Sequence, residues 1–545
     1  MKFNLLLLSL LIPMMGFAYN ISGKVLNENT NKGVEFATLW IEGSGIGTVT
    51  DEKGEFVINH LSKGSYAITI RCLGYAEKKV EINIHKDINT VLYLSEVSLA
   101  LNEVTVTAER KTSDAATAYT LNRTALDHLQ SISVSDALSL LPGEQTRKYK
   151  TLTSSKQVIT LRGETLEMGN PDFGTVIEMD GVRVGGNATA ESTGGTDLRN
   201  IGNNNVERID IITGVPSVEY GDLTNGVVRI ITRKGKTPFL ADVSVRPNTQ
   251  SYSIAKGMDI GGKWGILNLS YEHVRSVSDI ASPYTSYIRN AFGAKYSNVF
   301  HSASGRNLAM DFILNGNLGG LNSETDPDAF RETYTKHSDN ALWSSLAFNY
   351  MINSKWLANL RWGVTFAYAD KMHEIKTNKS APSSIPSLHT TEEGYFVASR
   401  YEDNPSLPII LLPTGYWYVT SYHDDRPINT SVYAKAMWTH QIKGINGNLL
   451  LGSELKSDGN LGRGEYYADI SVAPDWREYR YDKLPFMNNW ASYIEEDLSI
   501  TFKNSILNIK AGCRSDMTFI SGSEYGRISS LSPRISARYS WGFSE

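Results

Sequence analysis

Alternation of apolar and polar residues with a period of two dominates the second half of this chain. Leu346, Phe348, Tyr350 and Ile352 stand against Ser345, Ala347 and Asn349, and Leu360, Trp362, Val364, Phe366 and Tyr368 against Asn359, Arg361 and Thr365. Leu507, Ile509 and Ala511 oppose Asn508, Lys510 and Arg514, and Ile535, Ala537, Tyr539 and Trp541 oppose Ser536, Arg538 and Ser540. A period of two puts each set on one face of a β-strand. One such strand would suit a soluble sandwich. Repetition through residues 239–545 does not, because the sequence offers no apolar helix or second sheet to cover so many apolar faces. Lipid covers them in a transmembrane barrel, where Trp and Tyr end the apolar runs at the two interfaces. Polar stretches at 320–340, 372–405 and 457–479 suit long outer loops. The spacing leaves room for roughly twelve to fourteen strands.

Upstream the pattern changes twice. Residues 19–97 predict a β-sandwich of short strands, with turn signals at Asn27–Gly33, Gly43–Gly45, Asp51–Gly54 and Lys63–Gly64. Between the turns, Phe56 and Ile58 share one face, as do Tyr66, Ile68 and Ile70. Residues 119–238 mix a helix over Ser133–Leu141, stopped by Pro142-Gly143, with strands at 157–161, 176–179, 206–212 and 227–232, an α+β pattern. Residues 98–118 link the two. The link begins β-prone and apolar, Leu101 to Ala108, and ends polar. An unpaired β-branched strand is a liability unless another sheet edge completes it. The alternative is a last strand of the sandwich.

The first 18 residues have the form of an export signal. Lys2 is followed by the apolar run Leu5–Ile12, and Gly16 and Ala18 place cleavage after Ala18. No later run reaches the roughly 18 apolar residues of a membrane helix. The net charge of −5 mixes both signs, so no basic footprint marks nucleic acid. Cys72 and Cys513 both fall on apolar strand faces and read as small hydrophobes rather than a disulfide.

Enzyme chemistry finds no support. Gly235-Lys236-Thr237 ends like a phosphate loop, but Ile230 stands where the earlier glycine belongs. Gly43-Ser44-Gly45-Ile46-Gly47 lacks dinucleotide spacing. The ten histidines are scattered, and His273 and His440 read as structural strand residues. No cofactor and no metal site is expected.

Two resemblances sharpen this reading. Ile21-Ser22-Gly23-Lys24-Val25, Thr48 to Phe56, Gly64-Ser65-Tyr66 and Leu73-Gly74-Tyr75 resemble the carboxypeptidase-regulatory-like domain that Bacteroidetes-type receptors carry at the N-terminus. Val134 to Leu138 with Leu141-Pro142-Gly143, then Ile159-Thr160-Leu161-Arg162-Gly163, Ile177-Glu178-Met179-Asp180-Gly181 and Val206-Glu207-Arg208-Ile209-Asp210-Ile211-Ile212-Thr213-Gly214, resemble the plug of TonB-dependent outer-membrane receptors. Tyr220-Gly221, Asn225-Gly226-Val227-Val228 and Ile231 to Gly235 continue the match. The resemblance implies a TonB box at Glu103, Val104, Thr105, Val106, Thr107 and Ala108, offered to TonB by strand addition in the periplasm. It implies ion pairs between plug and barrel wall through Arg162, Glu207 and Arg208, and turns built on Gly163, Gly181, Gly214 and Gly221.

The expected chain is therefore mainly β: signal 1–18, sandwich 19–97, linker 98–118, plug 119–238, and the first part of an antiparallel transmembrane β-barrel at 239–545. Family barrels have more strands and end on an aromatic residue, whereas this sequence ends Trp541-Gly542-Phe543-Ser544-Glu545. An incomplete barrel with C-terminal strands missing is the expectation, since open strand edges are not tolerated in lipid. The implied function is TonB-dependent import of a scarce small-molecule ligand across the outer membrane. Its partners are TonB with its energising complex, outer-membrane lipid and, as a further candidate, a surface lipoprotein. A ferric siderophore or another metal chelate is the first expectation for the ligand. A glycan or peptide is the alternative; glycan importers share the N-terminal domain, but their Gly-Tyr-Gly continuation is replaced here by Ala108-Glu109-Arg110. A receptor or adhesin without transport, and a non-functional fragment, are the remaining alternatives.

Overall fold

The computed structural model describes residues 19–541 other than 96–108, 112–117, 137–150, 154–174, 186–195, 388–409, 473–479 and scattered turn positions. Seven strands build the N-terminal sandwich: β1 (Tyr19–Asn27), β2 (Thr38–Ile41), β3 (Gly47–Val49), β4 (Glu55–Leu61), β5 (Gly64–Arg71), β6 (Lys78–Ile84) and β7 (Ile88–Leu94). They form two sheets, ordered β4-β1-β7 and β3-β2-β5-β6, with β1 and β7 parallel. The inward residues of both, among them Ile21, Leu39, Ile58, Ile68, Ile70 and Leu94, make one core. Cys72 packs against that core and its thiol donates to the Glu35 carbonyl, as a small hydrophobe would. Gly54 turns the chain at φ +75°, and a Cβ there would lie 2.4 Å from the Val25 carbonyl oxygen. Gly54→Ala is expected to destabilise the sandwich by more than about 1 kcal/mol, seen as faster amide exchange in β1 and β4 of the full chain.

The second domain is a six-stranded sheet ordered β11-β10-β13-β12-β9-β8. Its strands are β8 (Glu109–Lys111), β9 (Ala118–Asn122), β10 (Thr175–Met179), β11 (Val182–Arg183), β12 (Val206–Ile212) and β13 (Gly226–Thr232). A two-residue loop joins β10 to β11, with Met179 paired to Val182. Asp180 (φ 49°) and Gly181 (φ 87°) both occupy the left-handed region, which is why Asp-Gly suits this hairpin. A helix, α1 (Arg123–Leu129), follows β9 and buries Ala125 and Leu126. The Asn122 side chain accepts from the Ala125 amide at 3.0 Å and caps it. The helix expected over Ser133–Leu141 and the strand at 157–161 fall largely outside the described residues.

The third region is one antiparallel sheet. Its path runs β14 (Thr237–Arg246), β15 (Thr249–Asp259), β16 (Ile266–Val277), β17 (Thr285–Phe300), β18 (Asn307–Glu324), β19 (Tyr334–Met351) and β20 (Asn359–Ala381). A loop hairpin follows, β21 (Ile385–Ser387) with β22 (Ile410–Leu412), and then β23 (Gly415–Asp425). The path resumes at β24 (Pro427–Ile442) and β25 (Ile445–Asn460) and, beyond β26 (Gly464–Tyr467), at β27 (Met487–Phe502), β28 (Ser505–Ile520) and β29 (Arg527–Trp541). Twelve strands lie on this path. β23 and β26 extend the wall beyond it, β23 pairing with the outer half of β20. At one end successive strands are only two residues apart, as between Ile442 and Ile445 and between Phe502 and Ser505, while the other end carries the long connections. Among the described residues β14 and β29 do not pair, so the sheet is open. No described helix is long and apolar enough to cross a membrane, which says nothing of strands.

The alternation read from sequence sets the two faces. Trp343 and Ala367 point inward and join the core of the second domain with Ile177, Ile209, Val228 and Ile230. Leu531, Ile535, Tyr539 and Trp541 are exposed on the opposite face, and Phe348 stacks on Trp362 there at 5.3 Å. Cys513, half-buried like Cys72, lies on this outer face with Leu507, Ile509 and Ala511, where a small hydrophobe fits.

Candidate functional site

The second domain sits against the inner face of the large sheet, and outside the apolar patch of Trp343 and Ala367 the contact is polar and charged. Arg289, on the inward face of β17, has no exposed surface. Its guanidinium is paired with the Glu272 carboxylate of β16 and donates to the Ile132 carbonyl at 2.7 Å and the Arg199 carbonyl at 2.8 Å. One wall residue thus grips the backbone of the inner domain at two places. Around it, the Tyr287 hydroxyl donates to Asn200 Oδ1 at 2.7 Å, and Asn204 donates through its side chain to Ser253 at 2.5 Å and through its backbone to Glu272 at 3.2 Å. Arg199 is itself paired with Asp197 at 2.6 Å and lies 4.8 Å over the Tyr287 ring. Burial of such pairs costs desolvation, and removal of one partner costs more.

A second contact uses the Asp-Gly turn. Asp180 accepts from the Thr232 amide at 3.1 Å and from its hydroxyl, and from Lys295 of β17 at 2.8 Å. One carboxylate therefore closes the turn, ties it to the end of β13 and anchors both to the wall.

The third contact lies across a cleft of about 1100 Å³ open to solvent. Glu178, Arg229 and Tyr220 line it from the inner domain, and Tyr433, Lys435 and Tyr493 from the wall. Glu219 meets Lys435 at 2.7 Å. Burial pushes the Glu219 carboxyl up, but the charge and hydrogen bond of Lys435, with Arg229 and Arg361, hold it at about 2. Arg514 of β28 donates to the Glu219 carbonyl at 2.8 Å, Arg534 of β29 to the Ser217 carbonyl at 2.8 Å, and the Val218 amide to Glu495 at 2.8 Å. A Cβ on Gly221 would stand 2.8 Å from the Arg514 guanidinium, so a side chain there would push the guanidinium aside. Because Glu219 is held below its free value, its contribution is complete above the ordinary carboxylate range and is lost as pH falls toward about 2. Segment 213–221 is expected to stay protease-protected in the full-length protein at pH 4.5, and to lose that protection at the same pH in Glu219→Gln.

Not every expected residue takes its expected place. Among the described residues, Glu207 and Arg208 make no ion pair with the wall. Arg208 pairs with Asp210 at 3.2 Å on its own strand, and Glu207 lies among Arg233, Arg123 and Arg208, all of the inner domain. β12 runs between β13 and β9, and the partners of these side chains come from its own sheet and from α1. Burial raises the Glu207 carboxyl against those cations. The wall contacts fall instead to Asp180, Arg199 and Glu219. Gly214 follows β12 in a bend, and Tyr220 lines the cleft. Arg162, Gly163 and Glu103 to Ala108 lie outside the described residues. Arg289, Glu272 and Lys295 were not singled out in the sequence; their signal was a charge on the polar phase of an alternating strand.

Comparison with known proteins agrees with this architecture. Residues 21–106 match the family model of the CarboxypepD_reg-like domain, and residues 110–228 that of the TonB-dependent Receptor Plug Domain. Among solved structures, the ferric citrate transporter FecA in its unliganded form is similar over 81% of this chain and 64% of its own, at 13% identity and a TM-score of 0.52. The copper transporter OprC is similar over 82% of this chain and 63% of its own, at 11% identity and a TM-score of 0.50. The chain thus spans a little under two thirds of the length of either.

Proposed function

We propose that this chain, which carries a CarboxypepD_reg-like domain and a TonB-dependent receptor plug domain ahead of an outer-membrane-type antiparallel sheet, serves TonB-dependent import of a scarce nutrient across the outer membrane. The observation that carries this reading is the plug domain held to the inner face of the sheet by desolvated ion pairs and backbone contacts. Such a contact blocks the lumen at rest. Outside the apolar patch of Trp343 and Ala367 it is made of discrete bonds that a pull can break. Glu103 to Ala108 lie between sandwich and plug and are the strand offered to TonB. The sandwich lies at the end with the short connections, where Lys236 bridges Glu35 at 2.5 Å and Asp259 at 2.7 Å, which supports a periplasmic place for it.

For the ligand, a ferric siderophore or another metal chelate is the reading we favour. It rests on the names of the two similar transporters, for ferric citrate and copper, and on the absence of the Gly-Tyr-Gly continuation after Ala108. Deleting residues 103–108 from the complete gene is expected to abolish energised uptake of the ligand while surface binding persists. Unimpaired uptake in that strain would refute the mechanism, and growth restored only by a glycan or peptide would refute the ligand class.

A further inference from the structure

Three of the ten histidines, far apart in sequence, meet on the outer half of the wall. His337 of β19 is in register with His373 of β20, His373 with His423 of β23, and His423 with Glu465 of β26. The first two rings stack at 3.9 Å and 11°, the next two at 5.6 Å and 29°. His423 ends the stack with its Nδ1 3.4 Å from a Glu465 oxygen and the Tyr481 ring edge-on at 5.6 Å. The row faces inward, because His337 lies two residues from Asp339, which is buried against the Tyr287 hydroxyl.

Face-to-face rings do not converge their nitrogens, and among the described residues no three His, Cys, Asp or Glu side chains form a metal-holding group. The arrangement suits a proton instead. Among the described residues the other charged groups on this face of the three strands are Asp339 of β19, Lys371 and, six residues beyond His373, Lys379 of β20, and Asp425 of β23. Lys371 is in register with both Asp339 and Asp425, and Asp425 also accepts from Asn460 of β25 at 2.6 Å. The carboxylate beside the stack is therefore that of Glu465. A first proton on His423 meets it directly, with the flat His373 ring on the other side. A second would set like charges at stacking distance.

The row also crosses the weakest seam of the wall. β26 is held to β23 by four residue pairs, Ser421 to Asp424 against Tyr467 to Gly464, and both strands lie off the main path of the sheet. We propose that His337, His373, His423 and Glu465 form a one-proton clasp, in which protonation of His423 against Glu465 tightens β26 onto β23 and firms the outer extension of the wall. The clasp works in mild acid and relaxes as pH rises.

Amide exchange of residues 464–467, in the full-length receptor in detergent and corrected for the intrinsic pH dependence of exchange, tests it. Exchange at pH 5.5 is expected to be at least about fivefold slower than at pH 7.5. His423→Gln and Glu465→Gln are each expected to bring that ratio to one, whereas His337→Gln, at the far end of the stack, keeps it. A ratio of one in the unaltered chain overturns the proposal whatever the variants do. So does an undiminished ratio in a His423→Gln protein that retains its heat-modifiable, folded migration.

Discussion

Arg289→Met is expected to loosen the plug from the wall without preventing the sheet from forming. The guanidinium is fully buried and its pair with Glu272 sits between two strands that are also joined by a continuous backbone ladder. The ladder does not depend on the side chain. The plug does, because Arg289 supplies the donors for the Ile132 and Arg199 carbonyls. Removing one partner of such a pair leaves Glu272 buried and uncompensated, at a cost of about 3–5 kcal/mol. Replacing both, Arg289→Met with Glu272→Leu, removes the stranded charge and is expected to recover part of that loss. The measurement is limited proteolysis of the full-length protein in membranes. Cleavage within residues 196–204 is expected to appear in Arg289→Met, to be weaker in the double variant and to be absent from the parent. Equal protection in all three would show that this clamp does not hold the plug.

Much of this architecture was legible because it depends on local pattern. The faces of β19, β20, β28 and β29 follow from alternation alone, since one residue of slip would turn every Leu, Phe and Trp to the wrong side. The Asp180-Gly181 hairpin was legible because two successive positive φ angles select that dipeptide. The twelve strands of the main path, with β23 and β26 beyond it, match the number that strand-plus-loop spacing gave, but residues 320–324, 334–340 and 372–381, read as outer loop for their polarity, continue β18, β19 and β20. What stayed hidden depends on register between distant strands. Glu272 and Arg289 are unremarkable on their own strands, and nothing local shows that the second domain will seat on them. The histidines looked scattered because neither His337, His373 nor His423 has another beside it in sequence. Only the pairings of β19, β20 and β23 bring them together. Glu207 and Arg208 were misplaced for a related reason: a motif marks a strand, but which sheet supplies its partners is a tertiary fact. The helix α1 was missed because seven residues between a strand and a polar loop carry little periodicity, and its one clear signal was the capping Asn122.

Two cysteine pairs are expected to divide transport from binding. The plug meets the wall on two sides of different character. Around Arg289 the contact is buried. Around Glu219 it borders the open cleft, where water can replace each ion pair as it breaks. The segment beside the cleft is therefore the one expected to move. An ideal Cβ on Gly512 of β28 lies 2.8 Å from Val218 Cγ1, so Val218→Cys with Gly512→Cys is placed for a bridge on the cleft side. On the clamp side, a Cβ on Gly202 lies 3.0 Å from the Ala291 Cβ, about half an ångström short of the roughly 3.5–4.5 Å that a disulfide spans, so the strands must part slightly to form it. Both pairs belong in a background with Cys72→Ser and Cys513→Ala, which leaves no competing thiol. Oxidising the 218–512 pair is expected to bring energised uptake to background, leave surface binding of ligand unchanged, and be reversed by dithiothreitol. Oxidising the 202–291 pair is expected to leave most uptake intact. The opposite result would move the passage to the Arg289 side, and loss of uptake with both would mean that the plug leaves the wall as one body.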